Sequence, residues 1–226
     1  MFKYLVLLPV ALFSLNAQAD ETKLKGFLEK NYPQLGKVEN VTKAPLNGLY
    51  EVETADQFFY TDEKGQYLII GSIYDIKSER NLTDERVLKN LPFELAIKRV
   101  KGKGERMLAY ITDPNCGYCK KLEGELKNVD NVTLYRFLYP IFPGSDEKVR
   151  NILCSKDPNK TWEDWMLNGV PPPVGNCTTQ TEKVSALGKK LHVDGTPTLI
   201  FADGRRVPGY MPVAELEKAL NSAAAH

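Results

Sequence analysis

The chain has 226 residues, with 30 lysines and arginines against 29 acids, a formal net charge of +1. That balance excludes the basic footprint of a nucleic-acid-binding domain and a polybasic membrane patch. The length allows one large domain or two small ones.

The first 19 residues read as a secretory signal peptide. Met1-Phe2-Lys3 is a short positive start, Leu5 to Leu15 is apolar, and Ala17-Gln18-Ala19 is a small-residue cleavage pattern, which makes Asp20 the first mature residue. The alternative, an uncleaved anchor, would rest on an apolar stretch that is short for a spanning helix. No later stretch is long and apolar enough to span, so the mature chain is expected not to insert in a membrane. Lys3 is the only charge in the leader, so the rest carries 29 bases and 29 acids. All four cysteines, Cys116, Cys119, Cys154 and Cys177, follow the leader and so belong in an oxidising compartment.

In chain order, Leu24, Phe27 and Leu28 give Glu21 to Tyr32 the spacing of a short amphipathic helix, stopped by Pro33. Val38 to Ala44 and Leu49 to Thr54 read as strands. Phe58 to Tyr60 and Tyr67 to Ile70 flank a hairpin loop carrying Gly65, and Ser72 to Ile76 extends or adds a strand. Residues 20–78 thus form a small α+β domain, near the lower limit of what one core stabilises. It has no cysteine or histidine, and either stands alone or serves as an assembly module whose sheet pairs with a copy of itself. Residues 79–101 read as a helical linker capped at Thr83, broken at Pro92 and resumed over Phe93 to Val100. Residues 102–226 alternate strand and helix. Strands are expected at Met107 to Ile111, Val132 to Tyr139, Thr198 to Phe201 and Arg206 to Tyr210. Helices are expected at Lys120 to Lys127, Asp146 to Cys154, Thr161 to Leu167, Thr178 to Leu191 and Val213 to Ala223. Pro171-Pro172-Pro173 must be extended loop.

Cys116-Gly117-Tyr118-Cys119 lies between the apolar run Met107 to Ile111 and a helix-forming stretch. A dithiol at a strand-to-helix junction is the mark of a thioredoxin-type redox site. Two intervening residues in a first helical turn bring the sulfurs within bridging distance. The helix N-terminus favours a thiolate at Cys116, which reads as the exposed nucleophile with a depressed pKa. Cys119, one turn inside, reads as the resolving thiol. Gly117 and Tyr118 add no formal charge, so tuning must come from backbone, dipole and neighbours. The competing reading takes the four cysteines as zinc ligands; Cys154 and Cys177 form no second close pair, which argues against it. No metal and no cofactor are expected.

Gly195-Thr196-Pro197-Thr198 precedes a buried strand, an unusual place for proline. It resembles the loop that faces the dithiol in thioredoxin folds, where the peptide is cis and the backbone before the proline pairs with an extended substrate. Thr196 and Pro197 are therefore the expected substrate-binding pair, with Gly117 and Tyr118. Cys154 and Cys177 read as a structural disulfide; closing that loop is worth about 3 kcal/mol in chain entropy. The alternative is a second redox relay. Asp113 reads as a turn or capping residue, and His192 as a cap or surface group.

Thr112-Asp113 before the dithiol, Cys116 to Cys119, Gly195-Thr196-Pro197 and Val207-Pro208-Gly209-Tyr210, together with the domain order, resemble the periplasmic DsbC/DsbG group of thiol:disulfide interchange proteins, the DsbC branch most closely. That resemblance implies a cystatin-like N-terminal domain, a helical linker and a thioredoxin-fold domain with a helical insertion. It places Cys154 and Cys177 where the group has its structural disulfide. It implies a V-shaped homodimer joined through the N-terminal domains. The implied activities are isomerase and chaperone-like action on misoxidised or unfolded secreted proteins, with a DsbD-type membrane reductase as electron donor. The rival functions are a DsbG-like reductase of single cysteines, a DsbA-like thiol oxidase, and a holdase with an incidental dithiol.

Overall fold

The structure, a computed structural model, describes residues 13–55, 57–77 and 80–224, with side-chain surroundings from Asp20 onward. Its chain forms two compact units, one ending at Gly71 and one starting at Ser72. Residues 1–12 of the expected leader and His226 lie outside the described residues. No helix among the described residues is long and apolar enough to cross a membrane.

The first unit opens with α1, Phe13–Asn31, which starts earlier than the helix expected from Glu21. Nothing between Phe13 and Asp20 is a proline or glycine, so the backbone continues helical until Pro33. Strands β1 (Val38–Lys43), β2 (Leu49–Thr54), β3 (Phe58–Asp62) and β4 (Leu68–Ile69) form an antiparallel sheet in that order. Leu24 and Leu28 of α1 pack on Val38, Val41, Tyr50, Val52 and Phe59. The third residue of the predicted stripe, Phe27, instead covers the β3–β4 turn. Gly65 there has φ +67°, and a Cβ on it would meet the Phe27 ring at 3.0 Å. The Asp62 carboxylate closes the same turn by accepting from Gln66 N–H at 2.7 Å and Tyr67 N–H at 3.0 Å.

The second unit begins with a short ladder of β5 (Tyr74–Asp75) and β6 (Arg80–Asn81), followed by α2 (Leu82–Lys89). The cap of α2 is Asn81, whose side chain accepts from Asp84 N–H at 3.1 Å. Thr83, expected in that role, is buried, and its Oγ1 accepts from Ile73 N–H at 2.9 Å. The segment Phe93 to Val100, expected as helix, is a 3-10 turn at Phe93–Leu95 followed by strand β7, Ile97–Lys101. Leu95, Ala96 and Val100 fit a helical stripe, but only Ile97 is buried in the strand, so an edge strand with one inward side chain imitated a helix face.

The central sheet then adds β8 (Arg106–Thr112), β9 (Val132–Leu138), β10 (Thr198–Phe201) and β11 (Arg206–Pro208) in the order β11-β10-β8-β9-β7. The β8–β9 pair is parallel and the others are antiparallel. Helix α3 (Gly117–Leu126) makes the β8–β9 crossover. The insertion α4 (Ser145–Leu153) and α5 (Pro158–Asn168) follows β9, and α6 (Thr181–Lys190) and α7 (Val213–Ala224) complete the unit. Leu122 and Leu126 of α3, with Leu216 and Leu220 of α7, cover the sheet face carrying Leu108 and Tyr110. The opposite face, with Ala109 and Ile111, is covered by Val184 of α6 and by Val87, Leu88 and Leu91 at the α2 end. Helix α2 is therefore seated on the sheet. Asp84 also accepts from Arg206 Nε at 2.7 Å, and Gly204 (φ +84°) lies so close to Glu85 that a Cβ would meet its backbone N at 2.5 Å.

Candidate active site

Strand β8 ends at Thr112, and the chain turns through Asp113-Pro114-Asn115 before α3 begins. Asp113 organises that turn. Its fully buried carboxylate accepts from Asn115 N–H at 2.6 Å and Ser145 Oγ at 2.7 Å on Oδ1, and from Ile141 N–H at 2.8 Å and Phe142 N–H at 3.1 Å on Oδ2. The turn reading of Asp113 thus accounts for its bond to Asn115. The other three bonds go to residues that begin the insertion, and no sequence spacing announces them.

Cys116 is the N-cap of α3, and its Sγ accepts from Cys119 N–H at 3.3 Å. Cys116 Sγ also faces the carbonyl oxygen of Thr196 at 3.1 Å. The Thr196–Pro197 peptide is cis, and the Pro197 carbonyl accepts from Gly209 N–H at 2.7 Å. The structure therefore brings Cys116, Cys119, Thr196 and Pro197 together, 80 residues apart in sequence between Cys116 and Thr196. Cys116 is not the exposed sulfur that the sequence suggests. It is 3% exposed, because the Thr196 loop lies over it, whereas Tyr118 between the thiols is 59% exposed. Cys119 is wholly buried; burial pushes its thiol up to about 12, and the neighbouring Cys116 adds to the effect.

Cys154 and Cys177 are bonded to each other, tying the end of α4 to the loop before α6. That bond occupies two of the four thiols a zinc reading needs. His192 is outside the site: it ends α6 with φ +51°, its N–H reaching Lys189 O and Val193 N–H reaching Gly188 O, a left-handed helix stop.

The sequence reading missed a buried charge cluster under α3. Glu123 Oε1 accepts from Tyr110 Oη at 2.5 Å and from Trp162 Nε1 at 2.7 Å, and Glu123 Oε2 accepts from Arg136 Nη2 at 3.3 Å. Arg136 also donates to Tyr110 Oη at 2.7 Å, Asn159 Oδ1 at 2.9 Å and Glu163 Oε1 at 3.3 Å. Burial works against the Arg136 charge, and the surrounding Tyr110, Glu123 and Glu163 oxygens outweigh it and keep the guanidinium charged. The second tryptophan of α5, Trp165, donates to Pro114 O at 2.6 Å, and Lys120 Nζ and Lys148 Nζ lie 4.3 and 4.8 Å from its ring centre. Helix α5 is thus fastened to the dithiol helix through Glu123 and to the turn before Cys116 through Pro114. Removing the carboxylate leaves the buried Arg136 charge beside the neutral Tyr110 and Asn159, with Glu163 as its remaining acid. Glu123→Ala is expected to cost about 3 kcal/mol, and Glu123→Gln, which keeps acceptors, less. Urea unfolding followed by tryptophan emission measures both, and equal stability of the two variants would refute the charge argument.

A five-stranded sheet with a Cys-x-x-Cys pair capping the helix after its central strand, facing a cis-proline loop, defines a thioredoxin-fold thiol–disulfide exchange protein. Comparison with known proteins narrows the class. A thioredoxin-like domain family matches residues 93–224, and the N-terminal domain family of disulfide bond isomerase proteins matches residues 15–84. The chain is 46% identical over 191 residues to the probable thiol:disulfide interchange protein DsbC of Bordetella parapertussis, covering 81% of this chain and 68% of that protein. It is 30% identical over 222 residues to thiol:disulfide interchange protein DsbC of Escherichia coli K12, covering 94% and 92%. A disulfide interchange protein from Neisseria gonorrhoeae matches with TM-score 0.57 at 36% identity, over 59% of this chain and 99% of that one. The chain belongs to the DsbC family of thiol:disulfide interchange proteins.

Proposed function

We propose that this protein is a periplasmic disulfide isomerase with chaperone activity. In this reading the leader is cleaved after Ala19, and the first unit, expected over residues 20–78, dimerises the protein. The second unit does the chemistry, with α2 and β7 of the expected linker 79–101 joining residues 102–226 in it. Cys116 attacks a wrong disulfide and forms a mixed disulfide with the client, releasing the other client sulfur as a thiolate. The contact from Cys119 N–H strengthens as the Cys116 sulfur becomes charged. Either a client thiolate then displaces Cys116, or Cys119 does and the enzyme leaves oxidised. Thr196 and Pro197 hold the client backbone beside the sulfur, with Gly117 and Tyr118 on the other side. A DsbD-type membrane reductase returns the dithiol to its reduced form. Cys154–Cys177 is structural.

The observation that carries the isomerase reading over a simple oxidase is the separate N-terminal sheet. It ends on β4, where Tyr67, Leu68, Ile69 and Ile70 are exposed in succession. A two-residue apolar edge strand in a small domain supports pairing with a second copy, which would set two dithiols against one client. Family membership and the dithiol under the Thr196 loop support the thiol exchange itself. The test is the redox state of Cys116 and Cys119 in the exported protein, read by acid quench and alkylation. A mostly reduced pair is expected; a mostly oxidised pair would make the protein an oxidase.

A further inference from the structure

Cys119 must become an anion at the moment it displaces a client from Cys116, and it does so in a wholly buried position. Such a sulfur needs donors that face it and are not engaged elsewhere. Thr112 Oγ1 and Thr196 Oγ1 are buried side-chain oxygens with no protein hydrogen-bond partner. Both hydroxyls, with the N–H of Asp113, act on the Cys119 thiol and lower its pKa against the effect of burial.

The backbone places Thr112 there independently. Alternate residues of a strand share a face. Leu108 and Tyr110 of β8 pack against Leu122 and Leu126 of α3, whereas Ala109 and Ile111 face the other side. Tyr110 reaches Glu123. Helix α3 runs back along β8, so two residues further along the strand corresponds to one turn back along the helix, which pairs Thr112 with Cys119. From the other side, the register of Thr198 with Ile111 brings Thr112 level with Pro197. A buried unpaired hydroxyl works against folding, and two of them against one sulfur require a reason.

We propose that the Thr112 hydroxyl, with that of Thr196 beside it, is a catalytic donor to the Cys119 thiolate in the release step. The inference rests on the assignment of Cys119 as the resolving thiol. In that step Cys119 S⁻ attacks the Cys116 sulfur of the mixed disulfide. The Cys116–Cys119 bond forms as the bond from Cys116 to the client sulfur breaks. The enzyme dithiol is oxidised by two electrons, the client sulfur is reduced and leaves as a thiolate, and it takes up a proton in place of the one Cys119 lost. In the thiol state both hydroxyls are unpaired. They gain a partner only as charge develops on Cys119, so they favour the transition state over the ground state.

The experiment uses the full-length reduced protein with glutathione disulfide, in rapid-mixing runs that separate capture at Cys116 from release by Cys119. Thr112→Val is expected to slow release about tenfold or more and to move its pH profile to higher pH. Capture should change by less than about twofold, and Thr112→Ser should restore release. The valine variant should also be at least as heat-stable as the parent, since it removes an unpaired buried hydroxyl. Thr112→Ala carries the same kinetic expectation should valine fold poorly. Release at the parent rate and pH in the valine or alanine variant, or equal slowing in the serine variant, overturns the proposal. So does loss of capture and release together with stability, which marks Thr112 as a packing residue. Cys119→Ser is the separate control: if it releases glutathione at the parent rate, Cys119 is not the resolving thiol, and that reading fails whatever Thr112 does.

Discussion

Cys116→Ala is expected to abolish reactivation of a scrambled disulfide substrate while leaving suppression of aggregation close to that of the parent. The site offers no second nucleophile. Cys119 is wholly buried and its thiol is pushed up to about 12, so at neutral pH it is a poor attacking group for an external disulfide. The loss should be on the order of 10³-fold or more, the scale on which covalent catalysis contributes. Folding should be little affected, because the variant gives up one N-cap contact to the Cys119 N–H, worth about 1 kcal/mol. Cys119→Ala should be milder, since a client thiol can displace Cys116 without it, at the cost of longer-lived mixed disulfides. Refolding assays with scrambled ribonuclease and light scattering of an aggregating client measure the two activities. Reactivation surviving in Cys116→Ala would remove the catalytic assignment, and loss of both activities would point to a damaged fold.

Much of this was legible in the sequence because it follows from local pattern. The dithiol sits at a strand end, Pro197 before a buried strand, and the alternating elements after residue 102 fall where their periodicities put them. What failed was of two kinds. The edge strand β7 buries one side chain, so its pattern carried no period of two, and the pairing partner on β9 that makes it a strand lies more than thirty residues ahead. The buried cluster under the dithiol had a signal that was not used. Glu123 falls on the stripe of Cys119, Leu122 and Leu126, and Arg136 on the inward face of β9 with Leu134 and Leu138. An acid and a base on two apolar faces have no stable place except beside each other. By contrast, the exposure of Cys116 was beyond local reasoning, since it is set by a loop 80 residues away.

The placement of β7 and α2 decides where the molecule can be divided. A fragment starting at Ser72 is expected to fold, to stay monomeric, to reduce small disulfides, and to lose isomerase activity. A fragment starting at Gly102, just past the linker that composition suggests, should fold poorly. It lacks β7, leaving β9 as the sheet edge, and it lacks Leu91 and Ile97, both nearly buried in the full chain. It also lacks Asp84, the acceptor for Arg206, and exposes the surface around Gly204 that Glu85 covers. Two such apolar side chains are worth about 1.5–3 kcal/mol each. With the lost ladder, that removes a large part of the 5–15 kcal/mol typical of a domain. Thermal unfolding of the two fragments should therefore separate them clearly, and sedimentation should show the Ser72 fragment as a monomer. A dimer would mean that residues 20–71 are not what joins two copies. A monomer that still isomerises at the full-length rate would mean that one dithiol suffices, and the pairing through β4 would then have to serve client binding instead. Because α2 and β7 belong to the catalytic unit, a cut at Ser72 keeps the sheet edge and the cover that a cut at Gly102 removes.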